Sequence, residues 1–149
     1  MADILELLKK DHETHRGILS DLAKASGAAR QTLFGRFKAE ALAHANAEEQ
    51  SLYAAMMSNP KQQDEARHAV AEHKEIDDYV EDLEKMDMHS DEWMSKFLKL
   101  KHRYEHHIDE EEEEMFVTAA RALSDEKRKE LGTKFSERRK AEEEKLRAA

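Results

Sequence analysis

Residues 90–116 read SDEWMSKFLKLKHRYEHHIDEEEEEMF. At roughly 100° per residue, Trp93, Phe97, Leu100, Tyr104, Ile108 and Met115 fall on one stripe of a helix, and His107 and Glu111 fall inside that stripe. The neighbouring pair, His106 and Glu110, has the same HxxxE spacing but lies on the far side. A carboxylate on a core-facing stripe needs a reason, because an unpaired buried charge is costly or is given up by taking a proton. The stretch therefore predicts a helix packed inside a bundle, with something polar held at its centre.

Working outward, the chain divides into five helical stretches. The first runs from about Asp3 to Ala25 and stops near Ser26-Gly27; the second runs from about Ala29 to Ser58 and ends at Asn59-Pro60. The third covers roughly residues 61–86, and the fourth, with Ser90 as N-cap, continues to about Leu123. Ser124 caps a highly charged fifth stretch running towards Leu146, whose few apolar residues are Leu131, Phe135 and Leu146. Long helices with short connections pack most simply as an all-α, up-down-up-down antiparallel four-helix bundle. The expected organisation is one domain over residues 1–149, with a core bundle at about 3–123 and an accessory helix at about 125–147 that ends frayed and solvated.

Composition agrees. One proline and four glycines leave little turn punctuation for a sheet-rich fold, and 40% charged residues beside 39% hydrophobic ones suit amphipathic helices. The net charge of −9 argues against nucleic acid or an anionic membrane as partner. With no cysteine there is no disulfide, zinc–thiolate or cysteine-ligated cluster. Neither a charged leader with an apolar core nor a bilayer-spanning stretch is present, so a cytoplasmic location is expected.

The central polar residues occur twice. Asp11-His12 is followed by His44-Ala45-Asn46-Ala47-Glu48-Glu49 and Leu52-Tyr53; Glu72-His73 is followed by His107-Ile108-Asp109-Glu110-Glu111-Glu112 and Met115-Phe116. Leu22 and Leu83 each lie ten residues after the first histidine of their half. On the second helix Leu33, Phe37, Ala41 and Ala55 define the stripe, with His44 and Glu48 within it. His12 is in phase with Leu5, Leu8, Leu19 and Leu22, and His73 with Val70, Ile76 and Val80. A lone histidine on such a face is ordinarily satisfied by one hydrogen bond. Two glutamates facing one another without an Arg or Lys at their level are a different matter, and a metal ion removes the conflict by neutralising both. Measured from the turns near Gly27 and His89, the four histidines sit at similar heights, with Glu48 and Glu111 one turn, about 6 Å, further on. That register suits two metal ions with bridging carboxylates.

These residues resemble the hemerythrin-like family, the HHE cation-binding domain, whose pattern is His, HxxxE, His, HxxxE on successive helices. The resemblance spans about Leu5 to Phe116, and the charged fifth helix also resembles the family's usual ending. It implies a non-haem di-iron centre, oxo- or hydroxo-bridged, in which Glu48 and Glu111 bridge, His12 and His44 serve one iron, and His73 and His107 the other. Oxygen carriers of this family have HxxxH on the third helix, whereas here Asp77 follows His73 at that spacing and could supply a carboxylate instead. The usual proline after the aromatic is replaced by Ala54 and Val117.

His15, one turn from His12, is either an extra ligand, a hydrogen-bond donor to the ligands, or core packing; its counterpart in the repeat is Ile76. Tyr104 and Tyr53 are placed to hydrogen-bond a ligand-bound species or to fill the core. Glu49 and Glu112 lie at the stripe's edge, supporting the ligands or solvated, and His68, His89, His102 and His106 read as surface residues. Glu65 and His68 form a single ExxH, where a ferritin-like centre needs two, and His12-Glu13-Thr14-His15 is one residue short of HExxH. The expected function is binding of, or reaction with, oxygen, peroxide or nitric oxide, with redox turnover left open. The alternatives are an iron-sensing, storage or delivery module without turnover, and a metal-free structural bundle.

Overall fold

The computed structural model describes residues 2–148, and every regular element among them is helical. Five rods result: α1 (Ile4–Lys24), α2 (Gly27–Glu48), α3 (Gln63–Lys85), α4 (Asp91–Glu110) and α5 (Asp125–Ala148). Two are longer than these limits. A π-helical turn, Glu49–Tyr53, and a final turn, Ala54–Met57, prolong α2, while Glu111–Met115 and Phe116–Ala122 prolong α4.

Local chemistry sets the ends. Asp3 caps α1 by accepting from the Leu5 amide at 2.8 Å, Ser90 caps α4 from Trp93 at 3.1 Å, and Ser124 caps α5 from Lys127 at 3.0 Å. Between α1 and α2 the backbone passes through Gly27 at φ 58°, a conformation that costs a residue with a side chain far more. Arg30 fastens the same end of the bundle, donating to the carbonyls of Ala25 and Met88 and lying over the Trp93 ring.

Four rods, α1 to α4, form the expected antiparallel bundle, and its interior is apolar at both ends and polar at the waist. At the Gly27 end, Leu19, Leu22, Phe34, Phe37, Leu83, Trp93 and Phe97 pack together; Trp93 stacks on Phe97 and donates to the Leu83 carbonyl. At the other end Ile4, Leu8, Leu52, Met56, Phe116, Leu131 and Phe135 form a second core. The histidines and glutamates lie between them.

Two expectations need correction. The stripe on α2 does not continue to Ala55. The π-turn inserts a residue and rotates the helix, so that Leu52, Tyr53 and Met56 become the buried set beyond Glu48. On the same helix Phe34, rather than Leu33, is buried. The fifth helix, in turn, is neither peripheral nor frayed within the described residues. It is helical to Ala148, puts Leu131 and Phe135 into the second core, and packs so closely that a Cβ on Gly132 would stand 2.1 Å from the Ala2 carbonyl oxygen.

Candidate metal centre

Each of α1 to α4 sends a histidine to the waist, and α2 and α4 each add a glutamate. His12, His44, His73, His107, Glu48 and Glu111 are all buried, Glu48 completely. His12 Nε2 is 3.5 Å from Glu111 Oε1 and His107 Nε2 is 3.4 Å from Glu111 Oε2. His44 Nε2 and His73 Nε2 lie 3.6 and 3.4 Å from Glu48 Oε1. Each glutamate thus stands between one histidine of either pair. The ligand-type atoms form two overlapping groups able to hold an ion, His12–His44–Glu48–Glu111 and His73–His107–Glu111.

The outward nitrogens are committed elsewhere. His12 Nδ1 meets Glu112 at 2.7 Å, His44 Nδ1 meets Asp11 at 2.9 Å, His73 Nδ1 meets Glu49 at 3.0 Å, and His107 Nδ1 meets Glu72 at 2.9 Å. A carboxylate behind each ring fixes the proton on Nδ1, aims the Nε2 lone pair inward and raises its basicity. The repeat in the sequence now has a structural meaning. The acid before each half's first histidine supports the HxxxE histidine of the same half, and the second glutamate of each EE pair supports the first histidine of the other half. The roles of Asp11 and Glu72 were missed from sequence, although the duplicated acid-His pair was their signal.

Inward, the polar atoms lack protein partners. His12 Nε2, His44 Nε2, both oxygens of Glu48 and Glu111 Oε1 are buried without a hydrogen bond. Such groups are rare because each forfeits its hydration, and here they face one another. Imidazole nitrogens with carboxylate oxygens suit iron, manganese or zinc, so the residues present fit a bound metal pair.

Electrostatics of the protein alone agree. Burial and the neighbouring charge of Glu48 push Glu111 well above the usual carboxylate range. Against the same burial, the polar groups of Glu111, His44 and His73 nearby hold Glu48 below it. Two carboxylates at this distance cannot both stay ionised without a cation. Burial opposes charge on His73, yet its contacts with Glu48 and Glu49 raise it to about 9. Burial lowers His12 and His107.

The four residues left open fall differently. His15 is not among the converging ligand atoms; its Nδ1 pairs with the Tyr104 hydroxyl at 2.7 Å, and burial, aided by His44, lowers it to about 3. Tyr53 reaches the centre, donating to Glu111 Oε2 at 2.5 Å. Asp77 is half-buried and stands apart from the ligand groups, on the wall of a cleft of about 20 Å³ that also touches His44, His73, Tyr104 and His107. That volume accommodates a molecule the size of water. From outside the four-helix core, Arg139 of α5 pairs with Asp11, and Phe135 sets its edge on the His44 ring at 5.6 Å.

Known proteins share the family and the fold. The family described as Hemerythrin HHE cation binding domain matches residues 3–119. The crystal structure of a Hemerythrin HHE cation binding domain-containing protein from Mycobacterium kansasii superimposes with a TM-score of 0.87, covering 97% of this chain and 90% of that one at 24% identity. At that identity the likeness is one of fold. No curated protein matches the sequence, and among the described residues no helix is long and apolar enough to cross a membrane.

Proposed function

The chain belongs to the hemerythrin HHE cation-binding family, and we propose that residues 1–149 act as one such domain, holding two iron ions and binding or reacting with oxygen, peroxide or nitric oxide. His12 and His44 hold one ion and His73 and His107 the other. Glu48 and Glu111 would supply the carboxylate oxygens that neutralise them. When bound, the iron pair supplies the exchange of electrons with the small ligand. The observation that carries this reading is the set of five buried, partnerless nitrogen and oxygen atoms facing one another at the waist.

The remaining residues have definite tasks. Asp11, Glu49, Glu72 and Glu112 keep the four imidazoles in one tautomer. Tyr53 holds Glu111 through the oxygen that also faces His107. The two apolar cores exclude bulk water from the waist, and the small cleft beside Tyr104 admits a ligand of two or three atoms and little more. Lys38, Asp77 and the imidazoles of His44, His73 and His107 line that cleft, and its small volume suits a diatomic or peroxide better than an organic anion.

The test is to load the protein with ferrous iron without oxygen, then add oxygen, hydrogen peroxide or nitric oxide and follow the absorption spectrum and any oxygen released. A spectral change for at least one of them is expected. An inert centre whose iron passes freely to a chelator would instead establish the sensing, storage or delivery reading.

A further inference from the structure

Outside the waist, one other group of ligand-type atoms converges among the described residues: His68, Glu72 and Glu110, from α3 and α4. His68 Nε2 lies 3.6 Å from Glu72 Oε1 and 3.6 Å from Glu110 Oε1. Donors bound to one small ion at about 2.0–2.2 Å stand roughly 3–3.6 Å apart. His106 Nε2 adds a second imidazole 3.2 Å from Glu110 Oε2. On helical phase alone His68, His106 and Glu110 read as surface residues, and Glu65-His68 as a single ExxH.

Their position is what matters. With Glu65 and Glu114 they line a surface cleft of about 50 Å³ that also exposes His107 and Glu111, two residues of the proposed centre. No Lys or Arg lines it. Glu111 is 3% exposed, and its Oε1 has no hydrogen-bond partner. Glu72 belongs to both places, since the oxygen facing His68 also accepts from His107 Nδ1. Burial, with Glu114 beside it, raises the Glu65 carboxyl.

The duplication does not explain this group. The first-half counterparts of His68 and Glu110 are Leu7 and Ala47. On that side Arg139 of α5 pairs with Asp11 instead. One side of the waist thus carries a cation on its supporting carboxylate, while the other carries ligands leading outward.

We propose that His68, Glu72 and Glu110 form an outer site for a divalent transition-metal cation, through which ions reach the His73–His107 side of the buried centre. The transit role rests on the di-iron reading above; the outer site itself does not. One imidazole beside two carboxylates favours ferrous, manganous or zinc ions over magnesium or calcium. Three ligands with His68 61% exposed leave water positions free, as an exchanging site requires.

The test uses the full chain and the double variant His68→Ala/Glu110→Gln, which leaves Glu72 on His107. Manganous ion is titrated into the iron-loaded protein and the free ion read by its paramagnetic resonance signal. One ion per chain is expected, bound at least about tenfold more weakly by the variant. The metal-free protein is then given ferrous iron without oxygen, and uptake is timed against a chromogenic chelator. Uptake by the variant should slow about tenfold while the final iron content is unchanged. His68→Lys, which places a cation at the same point without touching Glu110, should reproduce both effects. Equal manganous affinity in all three proteins overturns the site, and equal uptake rates overturn its transit role. A chain that binds manganous ion at this cleft yet loads no iron at the waist sinks the proposed function and leaves the outer site standing.

Discussion

Glu111 carries the conflict on which everything else rests. In the metal-free protein, burial and Glu48 raise its pKa well above the usual carboxylate range, which favours its acid form. Glu111→Gln imitates that acid and still accepts from Tyr53. The variant should therefore melt higher than the metal-free parent, by roughly 5 °C for a gain of 1–2 kcal/mol, and should lose the melting rise that iron gives the parent. Calorimetry with and without iron reads both. His15 offers a separate test. Its folded pKa is about 3 against about 6.5 unfolded, so the unfolded chain binds the extra proton between those values. Stability from this group is complete above pH 6.5 and is lost as pH falls towards 3, at up to about 1.4 kcal/mol per unit. Relative to the parent, metal-free His15→Ile should gain about 2 kcal/mol in denaturant midpoints between pH 6.5 and 4.5. The orphaned Tyr104 hydroxyl shifts both ends of that comparison alike.

Among the elements, the π-turns do what the periodicity of the sequence could not show. Trp93, Phe97, Leu100, Tyr104 and Ile108 repeat at helical spacing, so α4 was legible to the residue as far as Glu111. Beyond Glu48 and Glu111 one residue is added to the turn, and a reading at fixed pitch assigns the wrong face, as for Ala55. Nothing local in EQSLY or EEEEM marks a wider turn; the cause is tertiary, the need to bury Leu52 and Phe116 while Glu48 and Glu111 stay at the waist. Glu113 allows a clean check, because its side chain is exposed. Glu113→Ala should change stability by less than about 0.5 kcal/mol. Inserting one alanine after Glu113, beyond the residue the turn already absorbs, swings Met115, Phe116 and Ala119 by roughly 100°, and should cost several kcal/mol and most of the bound metal. Paired thermal melts and metal assays decide it.

For the molecule as a whole, the six ligand candidates and the bundle were readable because burying polar residues on four stripes at one height leaves few ways to pack. The part played by α5 was not, since Arg139 and Phe135 reach the waist from a helix that is almost wholly charged and shows no stripe. Arg139 bonds Asp11, and that contact, together with His44, keeps the carboxyl lowered to about 2 against the pull of burial. Arg139→Ala should leave Asp11 a poorer support for His44 and weaken metal binding about 10-fold, read by competition with a chelator, while the helix content is unchanged. The same change should spare the His73–His107 side, whose supporting carboxylates, Glu49 and Glu72, lie on other helices.

All of this turns on a cation pair between Glu48 and Glu111, and elemental analysis of protein made with ample iron, read beside its near-ultraviolet spectrum, addresses that pair most directly. About two irons per chain are expected, with absorption from an oxygen bridge that disappears in Glu111→Gln. A folded, monodisperse protein with no bound transition metal would contradict the account.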